Sequence, residues 1–236
     1  MSMSINGAVV LVTGANGGLG REFVQQAVDR GAAKVYATAR TPQERNDPRV
    51  HPLALDVTDE VSVSEAAAAA SDTTIVINNA GVISAVDSLA SGDVADFRRL
   101  FETNFFGAVN VVRAFAPIIE SNGGGAFLDV HSVVSWVATG GAYSASKAAF
   151  WSATNSFRVE LAPRGIGFTG LHMGYVDTAM TVGIDDPKST PADIVRIALD
   201  GLEAGQFEVL ADDITRTVKQ ALAGPIEKMY PQLKSP

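Results

Sequence analysis

Strand-length apolar runs alternate with helix-length stretches along most of these 236 residues, and that alternation constrains the fold more than any other property. Residues 8–12, 34–38, 74–78, 126–131, 166–172 and 207–210 read as strands. Residues 19–30, 59–71, 93–120, 142–162 and 191–204 between them carry helical periodicity. Parallel strands must be joined by crossovers, and strands apolar on both faces need cover on both faces. The pattern therefore predicts an α/β fold in one domain over residues 1–236, with a doubly wound, seven-stranded parallel sheet flanked by helices. The alanine-rich run at 66–70 reads as a helix packed closely on the sheet rather than as low complexity.

Composition removes several classes of function. The chain has no cysteine and only three histidines, which excludes disulfides and thiolate chemistry and predicts no metal site. A net charge of −8 with no cluster of lysines and arginines predicts no nucleic-acid partner. The first residues lack a basic segment followed by a long apolar one, and no apolar run reaches the roughly 18 residues of a spanning helix. The expectation is a cytoplasmic protein with no membrane partner.

Residues 9–20 read VVLVTGANGGLG, a strand that runs through a glycine-rich turn into a helix. Such a turn can cradle a dinucleotide pyrophosphate against free N–H groups at the helix start, as in Rossmann-like domains. Gly14 permits the tight turn, Gly18 the close approach of backbone to phosphate, and Gly20 the packing of helix on strand. The spacing resembles the T-G-x-x-x-G-x-G turn of the short-chain dehydrogenase/reductase family. NNAG at 78–81, Asn104 and Y-S-A-S-K at 143–147 extend the resemblance, and the length is similar to that of the family's classical branch. The resemblance implies that Asn16, Gly17, Leu19, Asn79, Ala80 and Gly81 also line the cofactor site, and that Asp56 and Val57 bracket an adenine ring. An Asp56 that caps the following helix is the competing explanation. At the end of the second strand Ala39 stands where NAD-preferring relatives have an acid. Arg40 follows as a planar cation suited to a 2′-phosphate, so the expected cofactor is NADP(H).

Tyr143 and Lys147 are four residues apart on a helix and so share a face. A carbonyl reductase needs an acid beside the carbonyl oxygen, and a tyrosine serves best if a neighbouring ammonium lowers its pKa. By resemblance Lys147 also binds the nicotinamide ribose, Ser132 hydrogen-bonds the substrate oxygen, and Asn104 holds a water that links Lys147 to solvent. Ser132 precedes Tyr143 by 11 positions where relatives have thirteen; the shortening is assigned to residues 139–141, and Ser135 is the fallback. His131, His51 and His172 are expected to hydrogen-bond backbone rather than act as bases. Gly174, Val176 and Thr178 match the family's carboxamide-binding loop, although Met173 replaces its proline and puts the loop's rigidity in doubt.

Val82, Ile83, Val133, Val134, Trp136, Tyr175 and Met180 are expected to face the substrate. That predicts a hydrophobic carbonyl or alcohol partner under a short lid at about residues 179–190. Small and aromatic residues on the helices at 93–120 and 142–162 suggest burial against another subunit, and the resemblance implies a homodimer or homotetramer. The resulting expectation is an NADP(H)-dependent oxidoreductase of the alcohol dehydrogenase or carbonyl reductase kind. The alternatives are a non-catalytic NADP(H)-binding sensor and an epimerase or dehydratase using the same tyrosine and lysine.

Overall fold

The computed structural model describes residues 3–83 and 88–234. Seven strands form one parallel sheet in the order β3-β2-β1-β4-β5-β6-β7. They are β1 (Val9–Thr13), β2 (Lys34–Ala39), β3 (Val50–Ala54), β4 (Ile75–Asn78), β5 (Gly125–Val130), β6 (Ile166–His172) and β7 (Glu208–Leu210). The strand that the apolar pattern leaves unnamed is β3. It is an edge strand whose sequence, VHPLA, contains His51 and Pro52, and proline, which cannot donate to a ladder, is tolerated at an edge.

Alternation along the strands divides the core in two. Val10, Val12, Ile75, Ile77 and Leu128 face the helices α1 (Gly18–Asp29) and α6 (Pro191–Glu203). Leu11, Val76 and Phe127 face α2 (Glu60–Ala69) and α4 (Ala108–Ser121), and α5 (Gly141–Leu161) closes the same side through Leu161. Thr190 caps α6 through Asp193 N, with Pro191 at the first helical position as the sequence predicts. Asp59, not Asp56, caps α2. Arg30 joins α1 to Asp200 and Glu203 of α6 at 2.6 and 2.7 Å.

The helix expected over 93–120 is three pieces. The α-helix α3 (Val94–Phe101) runs into a π-helical turn at Glu102–Gly107 and then into α4. The wider turn carries Asn104, with 1% of its surface exposed, toward the C-terminal edge of the sheet. Beyond β7 the chain adds α7 (Asp213–Ala221) and a short α8 (Ile226–Met229), which the sequence pattern does not announce. No helix among the described residues is long and apolar enough to cross a membrane.

Candidate active site

The strand order reverses direction between β1 and β4, and a crevice opens there at the carboxyl ends of the strands. It is a cavity of 1210 Å³ whose lining includes Gly14, Gly17, Gly18 and Leu19, the loop Asn79–Gly81, Ser132, Tyr143, Lys147, and the segment around Gly174, Val176 and Thr178.

The glycine turn has the backbone its sequence demands. Gly14 and Gly18 have φ of +67° and +51°, conformations that L side chains rarely adopt. A Cβ on Gly20 would collide with the Gly14 carbonyl. Thr13 fastens the turn to the next strand: its Oγ1 accepts from Asn79 N at 3.0 Å and Ala80 N at 2.9 Å, and Asn79 Nδ2 donates back to Thr13 O at 2.8 Å. Asn16 donates to Thr41 O at 2.8 Å and links the turn to the end of β2. There Arg40 is exposed and has no ion pair among the described residues. Asp56 accepts from Thr58 N and Oγ1 at 3.0 and 2.7 Å, and these bonds, with the Arg40 charge, hold its carboxyl below the ordinary range. Val57 is buried in the core beneath α4, so only its backbone is available to a ligand.

Helix α5 presents Tyr143 and Lys147 to the cavity one turn apart. Gly141, at φ +51°, and a 2.8 Å bond from Gly140 N to Ser144 Oγ tighten the entry to α5. Ser132 lines the cavity, whereas Ser135 is buried away from it with no partner for its hydroxyl among the described residues. Lys147 Nζ donates to Val130 O at 2.8 Å. Burial lowers this amine to about 8 against the opposing charge of Asp129, and burial pushes the Tyr143 phenol up to about 12. Burial is the cause that acts on the phenol in the protein alone, and Lys147 Nζ lies 6.0 Å from its ring centroid.

The Asn104 amide is committed to neighbours rather than to Lys147. It accepts from Val82 N at 2.8 Å and donates to Val82 O at 2.9 Å and Ser146 Oγ at 3.1 Å. Ser146 in turn donates to Tyr143 O at 2.8 Å. Gly81 lies where a Cβ would meet Asn104 Oδ1 and Lys147 Nζ at 3.4 and 3.6 Å, so the loop, the π turn and α5 converge on one point.

Val133, Val134, Tyr175 and Met180 line the cavity together with Ile83. Trp136 does not: it is 7% exposed, stacks on His172 at 3.9 Å, and has Lys219 Nζ over its ring at 4.7 Å. Val82 also falls outside the lining. Of the histidines, His172 Nδ1 pairs with Ser132 O at 3.3 Å, as expected for a backbone contact. His131 departs from expectation, since both its ring nitrogens are buried with no partner among the described residues and its edge packs on Phe150. His51 is exposed beside Tyr36.

Sequence reasoning missed the far wall. Ile214 and Val218 of α7 face the cavity, and Asp212 accepts from Gly174 N at 2.7 Å. That bond ties the loop after β6 to the start of α7. Tyr230 Oη accepts from Ala138 N at 2.9 Å and holds the loop that precedes Tyr143. These contacts join residues far apart in the chain, and no local spacing signals them.

Comparison with known proteins agrees with this geometry. The family model for short chain dehydrogenase matches residues 8–189. An NADPH-dependent 1-acyldihydroxyacetone phosphate reductase from Schizosaccharomyces pombe is 34% identical over 181 residues, which is 72% of this chain but only 60% of the yeast enzyme's length. The crystal structure of a short chain dehydrogenase from Burkholderia cenocepacia in complex with NADP superposes with a TM-score of 0.93 at 36% identity, covering 99% of this chain and 100% of that one. The NADPH-bound carbonyl reductase from chicken fatty liver gives 0.78 at 26% identity, covering 86% and 93%. With the sheet order, the glycine turn and the paired tyrosine and lysine all in place, this chain belongs to the short-chain dehydrogenase/reductase family of oxidoreductases.

Proposed function

We propose that the protein is an NADP(H)-dependent reductase that interconverts a hydrophobic ketone or aldehyde and the corresponding alcohol. The observation that carries this reading is Tyr143 and Lys147 set one turn apart, facing a largely apolar cavity that continues into the glycine turn.

The residues fit the cofactor. The glycine turn and the start of α1 offer N–H groups to a pyrophosphate, Arg40 offers a guanidinium to a 2′-phosphate, and Asp56 with the Val57 backbone stands where an adenine would lie. Asn79, Ala80, Gly81, Gly174, Val176 and Thr178 would hold the nicotinamide half. Two solved relatives bound to NADP or NADPH support the same choice. Bound there, the cofactor supplies or accepts the hydride. Ser132 donates a hydrogen bond to the carbonyl oxygen, and Tyr143 passes its phenolic proton to that oxygen as it gains negative charge, so C=O becomes CH–OH. Tyr143 is protonated in the neutral range, the form reduction requires, and Lys147 one turn away is the cation that would ease the proton's departure. Residues 179–190 act as the lid, with Met180 and Ile184 on its inner side. The family's oligomeric habit supports a homodimer or homotetramer, and the cytoplasm is the proposed location.

The test is oxidation of NADPH and of NADH with an aryl ketone and a β-keto ester. Wild type should prefer NADPH, Tyr143→Phe should lose about 10²–10⁴-fold in turnover, and Arg40→Asp should reverse the cofactor preference. NADPH binding with no turnover of any carbonyl by wild type would sink the reading in favour of a sensor.

A further inference from the structure

Alternation along β5 sends Ala126, Leu128 and Val130 to one core and Phe127 to the other. Position 129 therefore belongs beside Phe127, beneath the helices, where a central strand calls for an apolar side chain. It is Asp129, with none of its surface exposed. Two neutral groups hold its oxygens: Asn78 Nδ2 from β4 at 3.0 Å and Thr154 Oγ1 from α5 at 2.6 Å. Neutral donors alone do not offset the desolvation of a carboxylate.

The compensating charge lies along α5. Lys147, Thr154 and Arg158 follow one another at helical spacing on one face, so the Thr154 that holds the carboxylate has a cation seven residues before it and another four after it. Lys147 is 4% exposed, has no ion pair among the described residues, and donates a hydrogen bond to the carbonyl of Val130, the residue after Asp129. We propose that Asp129 is the buried counter-charge of Lys147, a positioning residue that keeps the amine protonated and seated on the Val130 carbonyl one turn from Tyr143.

This rests on the reading of Lys147 as part of the reductase site. The electrostatics agree in sign: burial draws Lys147 down to about 8 and the Asp129 charge opposes that fall. Burial lifts Asp129 to about 6, against the bonds from Thr154 and Asn78 and the charges of Arg158 and Lys147. It is therefore ionised at and above neutrality, where Lys147 is at risk of losing its proton. The other titratable groups nearby are His131 on β5 and His172 on β6, both held neutral by burial.

The experiment titrates Lys147 directly, without turnover. With the six lysines of the chain labelled at Cε, the Lys147 resonance is the one lost in Lys147→Arg, and its midpoint is followed in wild type, Asp129→Asn and Thr154→Val. Asparagine is isosteric: its oxygen still accepts from Asn78, and its amide donates to Thr154, whose hydroxyl already reaches Phe150 O at 3.1 Å. The Lys147 midpoint should fall in Asp129→Asn by about one pH unit, a tenfold loss of proton affinity. It should fall less, in the same direction, in Thr154→Val, and that variant carries the test if the first does not fold. A midpoint unmoved in both would overturn the proposal, even if activity fell uniformly with pH. A shifted midpoint in a protein that reduces no carbonyl would leave the counter-charge standing and refute the reductase.

Discussion

At the residue scale the glycine turn and the Tyr143/Lys147 pair could be read from sequence because each depends only on near neighbours. Gly14 and Gly18 need positive φ, Gly20 needs the absence of a Cβ, and a spacing of four on a helix fixes a shared face. Gly20→Ala should therefore push α1 off β1, cost about 1–3 kcal/mol in urea denaturation, and weaken NADPH binding in a fluorescence titration. An unaltered dissociation constant would show that the turn yields without loss. Trp136 shows where such reading stops. Its apolar bulk next to Ser132 suggested a substrate contact, but His172 and Lys219, both distant in sequence, claim its faces.

At the scale of elements, the apolar pattern located the strands that are buried on both faces and left β3 unnamed, because an edge strand bearing His51 and Pro52 lacks that pattern. It also read residues 93–120 as one helix, since a single wide turn barely disturbs apolar periodicity. Yet that turn is what carries Asn104 to Val82 and Ser146. Asn104→Ala leaves the polar groups of Val82 without their side-chain partners and should cost about 1–3 kcal/mol. It should also loosen the loop beside Lys147, and hydrogen exchange would show faster opening at residues 79–83. Protection equal to wild type there would mean the loop is held by Thr13 alone.

For the whole molecule the decisive quantity is how many buried groups must change charge as the medium acidifies. Burial lowers His172 to about 4 and His131 well below its ordinary value of 6.5. Below pH 6.5 the unfolded chain binds protons that the folded one refuses, so stability falls with falling pH through that window. Asp129 works the other way between about 6 and 3.8, where the folded state takes up a proton before the unfolded one does. Denaturant midpoints measured from pH 7 to pH 5 should fall in wild type, and His131→Leu should flatten the decline; identical slopes would exclude His131 as its source.

The far wall of the cavity was invisible to sequence reading because it is made by contacts of long range. Asp212 fixes Gly174, Ile214 and Val218 close the cavity, and Tyr230 reaches back 92 positions to Ala138. During synthesis Tyr143, Lys147 and the strands through β6 are polymerised before Asp212, Ile214, Val218 and Tyr230. The part of the cavity that bears the chemistry is thus made before its far wall, and the reaction chamber closes only when the segment from Asp212 to Tyr230 docks on it.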